Sequence, residues 1–157
     1  LDDAVCRLDE MRKKEGEFIA GDFISRFGGI EESLSRIENE SRDPPLYYKE
    51  RLKERISLLA GDMVELDAGR IAQEAAFLAD RCDISEEIVR AKSHIIQFNM
   101  LMNSGEPAGR KLNFLLQELN REFNTMGSKT EKALVSHTVV DVKSEIEKIR
   151  EQVQNIE

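Results

Sequence analysis

The sequence contains few of the residues that interrupt or crosslink a chain. Its 157 residues include three prolines, two cysteines and no tryptophan, and only 6% are aromatic. Cys6 and Cys82 have no cysteine or histidine at metal-ligand spacing, which excludes a zinc-binding cysteine pattern and favours reduced thiols. No apolar run approaches the roughly 20 residues of a membrane-spanning helix. We therefore expect a cytoplasmic protein that does not enter a membrane.

Charge is abundant and unevenly distributed along the chain. Charged residues make up 34%, hydrophobic residues make up 40%, and the net charge is −8. This composition is too apolar for a disordered chain. The segment from Arg110 to Lys129 has four basic and two acidic residues, so it carries +2 and the remainder carries −10. A local basic face can bind phosphate on an acidic protein, so the net charge does not exclude a nucleic-acid partner.

Apolar residues recur at helical spacing, and no alternating strand pattern is present. The sequence therefore predicts an all-α protein, an elongated bundle of about six helices. Asp67 is expected to be the N-cap of the third helix, and Asp83 or Ser85 that of the fourth. Prolines or glycines break the pattern at 41–45 and 103–107. The expected helices are 1–39, 47–66, 67–81, one that ends near 102, 109–129 and 135–156.

The two ends of the chain carry matching seams with alternating three- and four-residue spacing. The first seam contains Phe23, Phe27, Ile30, Leu34 and Ile37. The second contains Val135, Val139, Val142, Ile146, Ile149, Val153 and Ile156. We expect residues 1–41 and 134–157 to pair as a coiled-coil-like stem and residues 46–128 to form central helices, all within one helical domain, 1–157. The chain begins with Leu1 inside a predicted helix, so we also expect it to be part of a longer protein.

The helix expected at 109–129 has chemically sorted faces. One face is apolar, with Leu112, Leu115, Leu116, Leu119, Phe123 and Met126. A second face is a row of amides, consisting of Asn113, Gln117, Asn120 and Asn124. Asparagine is a poor helix former, so these amides are expected either to contact RNA or to knit the bundle by buried hydrogen bonds. Phe114 projects on a third side, as a platform for a base or as a contact for another domain.

Two further groups of polar residues could carry chemistry. Glu87, Arg90 and His94 lie along one edge of the fourth helix, where His94 could act as a general acid or base or as a metal ligand. Glu118 and Glu122, one turn apart, could bind Mg²⁺ or Mn²⁺. Ordinary ion pairing on a solvated helix is the alternative for both groups.

A series of short motifs runs through the whole chain in a fixed order. The motifs are Arg12-Lys-Lys-Glu-Gly16, Gln73-Glu74, Asp83-Ile-Ser-Glu-Glu, His94, Gly109-Arg-Lys-Leu, Phe114, Gln117-Glu118, Asn120-Arg-Glu, Asn124-Thr, Ser128-Lys129 and Arg150-Glu-Gln-Val-Gln-Asn-Ile-Glu157. Together they resemble the C-terminal half of the YicC/YloC-type bacterial endoribonucleases. The chain departs from the usual family pattern at Asn113, where an aspartate is common, and at Ala91, where a leucine is common.

The resemblance implies a cytoplasmic bacterial protein that cleaves RNA internally with a divalent metal ion, Mg²⁺ or Mn²⁺. It also implies an additional N-terminal domain and a ring-like homo-oligomer, a hexamer in the full-length protein. Carried onto this chain, it implies catalytic roles for His94, Glu87, Glu118 and Glu122. It implies metal binding by Glu74, Glu118 and Glu122, and RNA contact by Arg90, Arg110, Lys111, Gln117, Arg121 and Lys129. It leaves open whether water or the RNA 2′-hydroxyl attacks.

The alternative is a non-catalytic module for oligomerisation or RNA binding, in which the polar stripes are structural. Convergence of Glu118, Glu122 and His94 on a solvent-open cleft would favour the enzyme. Burial of the same residues in a dry core would favour the structural module.

Overall fold

The computed structural model describes residues 2–42, 44–60, 67–104 and 108–154. Across these ranges the chain forms six α-helices and no strand, so the predicted all-α class is confirmed. None of these helices is both long and apolar enough to cross a membrane. The helices are α1 (Asp2–Glu40), α2 (Pro44–Ala60), α3 (Ala68–Arg81), α4 (Ser85–Met102), α5 (Gly109–Lys129) and α6 (Ala133–Gln154).

Four of these helices, α1, α4, α5 and α6, form an antiparallel bundle. Helix α6 packs against α1 and runs in the opposite direction. Two contacts show this direction: the Arg26 guanidinium pairs with Glu145 at 2.6 Å, and Lys132, just before α6, donates to the carbonyl of Glu40 at the end of α1. Helix α4 packs on another side of α1, where Phe27 and Phe98 lie with ring centroids 4.4 Å apart. Helix α5 lies between α4 and α6. The expected pairing of the first and last helices is confirmed.

The bundle core consists of the apolar seams that the periodicity indicates. All five seam residues of α1 are at most 2% exposed, and the seam residues of α6 from Val135 to Val153 are at most 4% exposed. The apolar stripe of α5 is buried as well. Ile156, the last residue of the expected α6 seam, lies outside the described residues.

Helices α2 and α3 form a hairpin with a small core of its own, built on Tyr48, Ala75 and Ala79. Two contacts tie the hairpin to the segment between α5 and α6. Arg51 pairs with Glu131 at 3.4 Å, and the Lys132 ammonium lies 4.5 Å from the centre of the Tyr47 ring. The hairpin is thus an insertion between the first and second helices of the bundle.

Helix starts differ from the sequence expectation at α2 and α4, whereas the cap of α3 is as expected. Helix α2 begins at Pro44, since proline is tolerated in a first turn, where its missing N–H has no helical partner. Asp67 caps α3 as expected, through hydrogen bonds from the N–H groups of Gly69 and Arg70. The expectation that Asp83 or Ser85 caps α4 is wrong, because Ile84 is the N-cap residue and Asp83 instead accepts from the N–H and hydroxyl of Ser85. The expected extension of α2 beyond Ala60 to Leu66 lies outside the described residues.

Two helical glycines provide a test of the close approach of α5 and α6. A Cβ added at Gly127 would lie 3.1 Å from Cγ1 of Val139, whereas a Cβ added at Gly29 of α1 meets nothing within 4 Å. We expect Gly29→Ala to raise the free energy of unfolding by about 0.5–1 kcal/mol. Gly127→Ala should fall short of this gain because Val139 must move. Urea unfolding of both variants checks this, and an equal gain at both sites would contradict the packing described.

Candidate functional site

A polar furrow lies between α4 and α5. One flank of α4 and one flank of α5 line it. On α4 this flank carries Glu87, Arg90 and His94, spaced three and four residues apart. On α5 it carries Glu118, Glu122 and Lys129. The helices are antiparallel, so Glu87 faces Lys129 and Arg90 faces Glu122. We refer to these six residues and the space between them as the α4–α5 furrow.

Two nearly buried carboxylates organise one end of the furrow. Glu87 is 4% exposed and Glu122 is 6% exposed. The Arg90 guanidinium bridges them, with Nη2 3.0 Å from Glu87 Oε1 and Nε 3.0 Å from Glu122 Oε1. Lys129 Nζ lies 3.0 Å from Glu87 Oε1 and also donates to the carbonyl of Asp83 at 2.9 Å. The two cations therefore hold both carboxylates and tie α4 to α5.

The electrostatics of this network favour the charged forms of Glu87 and Arg90. Burial alone would raise the pKa of Glu87. The hydrogen bond from Lys129, the local backbone and the charges of Lys129 and Arg90 outweigh it and lower that pKa below the ordinary value. The hydrogen bond to Glu122, with the charges of Glu122 and Glu87, raises the pKa of Arg90. Glu87 Oε2 is buried and has no hydrogen-bond partner in the described part of the chain.

Next along the furrow, His94, Glu118 and Glu122 converge. One side-chain ligand atom from each lies within 4.8 Å of the other two, the only such group of three or more His, Cys, Asp or Glu in the described ranges. His94 and Glu118 are half-buried, so the group is open to solvent on one side. His94 Nδ1 is buried and has no hydrogen-bond partner among the described residues. One nitrogen and two carboxylate oxygens are a donor set that suits a divalent cation.

The other residues assigned from the sequence lie at varied places. Glu74 is exposed on α3, in the hairpin, and is not a member of the His94–Glu118–Glu122 group. Its assignment as a metal ligand stays a prediction. Gln117 and Arg121 are exposed on α5, where Arg121 lies 3.9 Å from Glu118. Arg110 and Lys111 are exposed in the first turn of the same helix.

The amide row lies on the opposite flank of α5 from the furrow. Asn113, Asn120 and Asn124 share that flank with Gly127, which approaches Val139 of α6. Asn124 donates to Asn120 Oδ1 at 2.9 Å, and Asn113 Oδ1 is buried without a hydrogen-bond partner among the described residues. The amides and the furrow carboxylates are therefore two separate surfaces.

Sequence reasoning missed two features of the furrow. It paired Arg90 with Glu87 but not with Glu122, which belongs to another helix. It also missed Gln97 and Leu101, which continue the flank of His94 at spacings of three and seven and line a pocket. Their spacing from His94 could have placed both residues on the same flank of α4. It could not have shown that this flank lines a pocket, because the pocket forms only where α5 packs beside α4.

Comparisons with known proteins give one family match and named relatives. Residues 37–157 match the model of the family described as "Endoribonuclease YicC-like, C-terminal". The chain is 46% identical over 157 residues to a protein of Clostridioides difficile (strain 630) named probable endoribonuclease YicC. It is 34% identical over 157 residues to a protein of the same name in Haemophilus influenzae. These alignments cover 100% of the chain and 54% of each relative, so the chain spans about half the length of the curated relatives it matches.

The lowered pKa of Glu87 predicts how stability depends on pH. We expect Glu87→Gln to lower the free energy of unfolding at pH 7 by roughly 1–3 kcal/mol, because the charged hydrogen bonds to Lys129 and Arg90 are weakened. A carboxylate whose pKa is lowered by folding stabilises above its ordinary pKa of 4.5, and this contribution is lost as pH falls through the folded value. The deficit should therefore shrink as pH falls below 4.5 and through the folded value.

The measurement is urea unfolding of both proteins across this pH range, with a chelator present. Glu86→Gln is the matched control, because the adjacent Glu86 also pairs with Arg90 but is 85% exposed. The control should stay within about 0.5 kcal/mol of the parent protein. A deficit for Glu87→Gln that does not change with pH would contradict the assigned ion pair.

Proposed function

The chain belongs to the YicC-like endoribonuclease family, and we propose that it is the C-terminal, helical part of a metal-dependent enzyme that cleaves RNA internally. The observation that carries the metal site is the convergence of His94, Glu118 and Glu122 across two helices, within 4.8 Å of one another. The solvent-open side of this group would admit a phosphodiester. RNA as substrate rests on the names of the relatives, which are probable endoribonucleases.

The donor set favours Mn²⁺ over Mg²⁺ among the two ions that the resemblance implies. Mg²⁺ prefers oxygen ligands and retains several waters, whereas a site that includes imidazole suits a transition metal better. When bound, such an ion would neutralise charge on the scissile phosphate. His94 would supply the nitrogen, and Glu118 and Glu122 would supply oxygens.

The remaining furrow residues have supporting roles in this proposal. Arg90 holds the buried Glu122 carboxylate at one oxygen, which orients the other oxygen. Lys129 and Glu87 in turn hold Arg90 against α5. Cleavage forms one phosphorus–oxygen bond to the attacking oxygen and breaks another to the leaving oxygen. The attacking water or 2′-hydroxyl gives up a proton, and the leaving oxygen takes one up. His94 is the alternative carrier for one of those protons if it is not a ligand.

Basic side chains on α5 supply the charge that RNA requires. Arg110, Lys111 and Arg121 are exposed and could contact phosphates on either side of the furrow, with Gln117 beside Arg121. Arg90 and Lys129 are 44% and 35% exposed, so each can still reach a phosphate while it holds its carboxylates. This set counters the net negative charge of the chain at the site itself.

The resemblance also implies a cytoplasmic homo-oligomer, a hexamer in the full-length protein, and we retain that as a proposal. Support comes from an apolar strip on the outer face of α4. Val89, Ile96 and Met100, at spacings of seven and four, are 59–68% exposed. An unpartnered helical seam of this kind favours association with another surface.

A second candidate function, a structural module without catalysis, is favoured by the ion network of Glu87, Arg90, Lys129 and Glu122. These groups link α4 to α5 and could be needed for folding alone. Glu118 separates the two functions, since its closest cation is Arg121 at 3.9 Å and it takes no part in that network.

We expect Glu118→Gln in the full-length protein to lower RNA cleavage with Mn²⁺ by at least about 100-fold. Mutation of a residue that only hydrogen-bonds to a metal ligand can already lower activity by up to about 100-fold, and Glu118 is a proposed ligand. Its free energy of unfolding should change by less than about 0.5 kcal/mol. Glu147→Gln is the matched control, because Glu147 also pairs with an arginine three residues later, 3.4 Å away, but lies on α6. Cleavage is measured on an end-labelled RNA, and Mn²⁺ binding by calorimetry.

The structural module predicts the reverse pattern. If Glu118→Gln and Glu147→Gln cut RNA at the same rate and bind Mn²⁺ equally, the proposed metal site is wrong. Lower stability together with unchanged cleavage per folded molecule would favour the structural module.

A further inference from the structure

Beyond His94, α4 and α5 line a pocket of about 360 Å³. The pocket is lined by Gln97 and Leu101 of α4 and by Arg110, Lys111, Phe114 and Leu115 of α5. Binding pockets for small groups begin at roughly 300 Å³, so this pocket has room for one compact ring system. Gln97 lies three residues after His94 and Phe114 lies four residues before Glu118, so the pocket adjoins the candidate metal site along both helices.

The chemistry of the lining is divided between apolar and cationic parts. Leu101 and Leu115 provide an apolar floor, and Phe114 presents its ring with 59% exposure. Arg110 and Lys111 are exposed beside it, and neither forms an ion pair with a described acidic residue. This distinguishes them from Arg90 and Lys129, whose charges are already engaged by Glu87 and Glu122.

We propose that this pocket is a nucleotide subsite, in which an RNA base stacks on Phe114 and its phosphate pairs with Arg110 and Lys111. Aromatic rings flanked by cations suit this ligand, since stacking takes up the base while the cations neutralise its phosphate. The subsite rests on the proposed function and deepens it, by assigning the pocket to a nucleotide next to the cleaved bond.

The helix geometry places the subsite beside the proposed chemistry. Phe114 and Glu118 are four residues apart on α5, which is about 6 Å along the helix axis. A base held at Phe114 therefore leaves an adjoining phosphodiester within reach of the His94–Glu118–Glu122 group. Gln97, on the opposite wall, donates its side-chain N–H to Ser93 at 3.1 Å, and its side-chain oxygen can accept a hydrogen bond from the edge of a base.

The test measures binding rather than cleavage, in the full-length protein with single-stranded RNA and a chelator to prevent cutting. We expect Phe114→Ala to weaken RNA binding at least about fivefold, the low end of what one lost base–aromatic stack costs. Phe77→Ala is the matched control, because Phe77 is also 59% exposed but lies on the α2–α3 hairpin. Its affinity for RNA should not change.

Two further variants give readouts that a purely structural role would not move. Phe114→Trp introduces an indole into a chain that contains no tryptophan, and the fluorescence it adds over the parent protein should be quenched by RNA. The fluorescence added by Phe77→Trp should not be quenched. Lys111→Gln should reduce the slope of log affinity against log salt by about 1, whereas Phe114→Ala should leave that slope unchanged.

The subsite is overturned if Phe114→Ala binds RNA as tightly as the parent protein, or if Phe114→Trp is not quenched. A loss of stability in Phe114→Ala with unchanged RNA affinity would overturn it too, and would indicate that another part of the protein covers the pocket. These outcomes leave the metal site intact if Glu118→Gln still abolishes cleavage. Conversely, an active Glu118→Gln variant together with loss of binding in Phe114→Ala overturns the metal site and retains the subsite.

Discussion

The arrangement of the α4–α5 furrow depends on one constraint. Two carboxylates that are almost removed from water must each be paired with a cation. A buried carboxylate is costly unless a cation and hydrogen bonds compensate it. Arg90 and Lys129 do this for Glu87 and Glu122 from opposite helices, so they also set the register of α4 against α5. In that register His94 meets Glu118, and the residues beyond them enclose a pocket.

The furrow changes character along its length. At one end its charges are mutually compensated. In the middle, among the described residues, His94 Nδ1 has no hydrogen-bond partner and Glu118 lies 3.9 Å from Arg121. At the far end, exposed cations border an apolar pocket. Compensated charges favour rigidity, whereas uncompensated groups are available to a ligand. Here the rigid ion network holds Glu122, which also belongs to the solvent-open His94–Glu118–Glu122 group. A preorganised site requires this kind of support for its ligand groups.

Much of the fold could be predicted because burial follows periodicity. Each seam residue of α1 is buried, as are those of α6 within the described residues, and the two helices pair as expected. The errors are local and have local causes. Pro44 fits the first turn of α2, where a backbone N–H has no helical partner. Asp83 lies one position before the N-cap residue of α4, and its carboxylate accepts a hydrogen bond from the N–H of Ser85. The α2–α3 hairpin could not be separated from the bundle by pattern alone, since its apolar positions look like those of any helix.

For the site, the sequence by itself determined which residues share a flank of each helix, because 3.6 residues per turn sets their angular positions. It sorted the carboxylates of α5 onto one edge and the amides onto the other. Only the tertiary structure decided which edge faces α4, so that Glu118 and Glu122 join His94 while the amides lie toward α6 and Glu74 lies apart on the hairpin. The reason is physical: periodicity acts within one helix, whereas a site between helices depends on how their apolar stripes pack together.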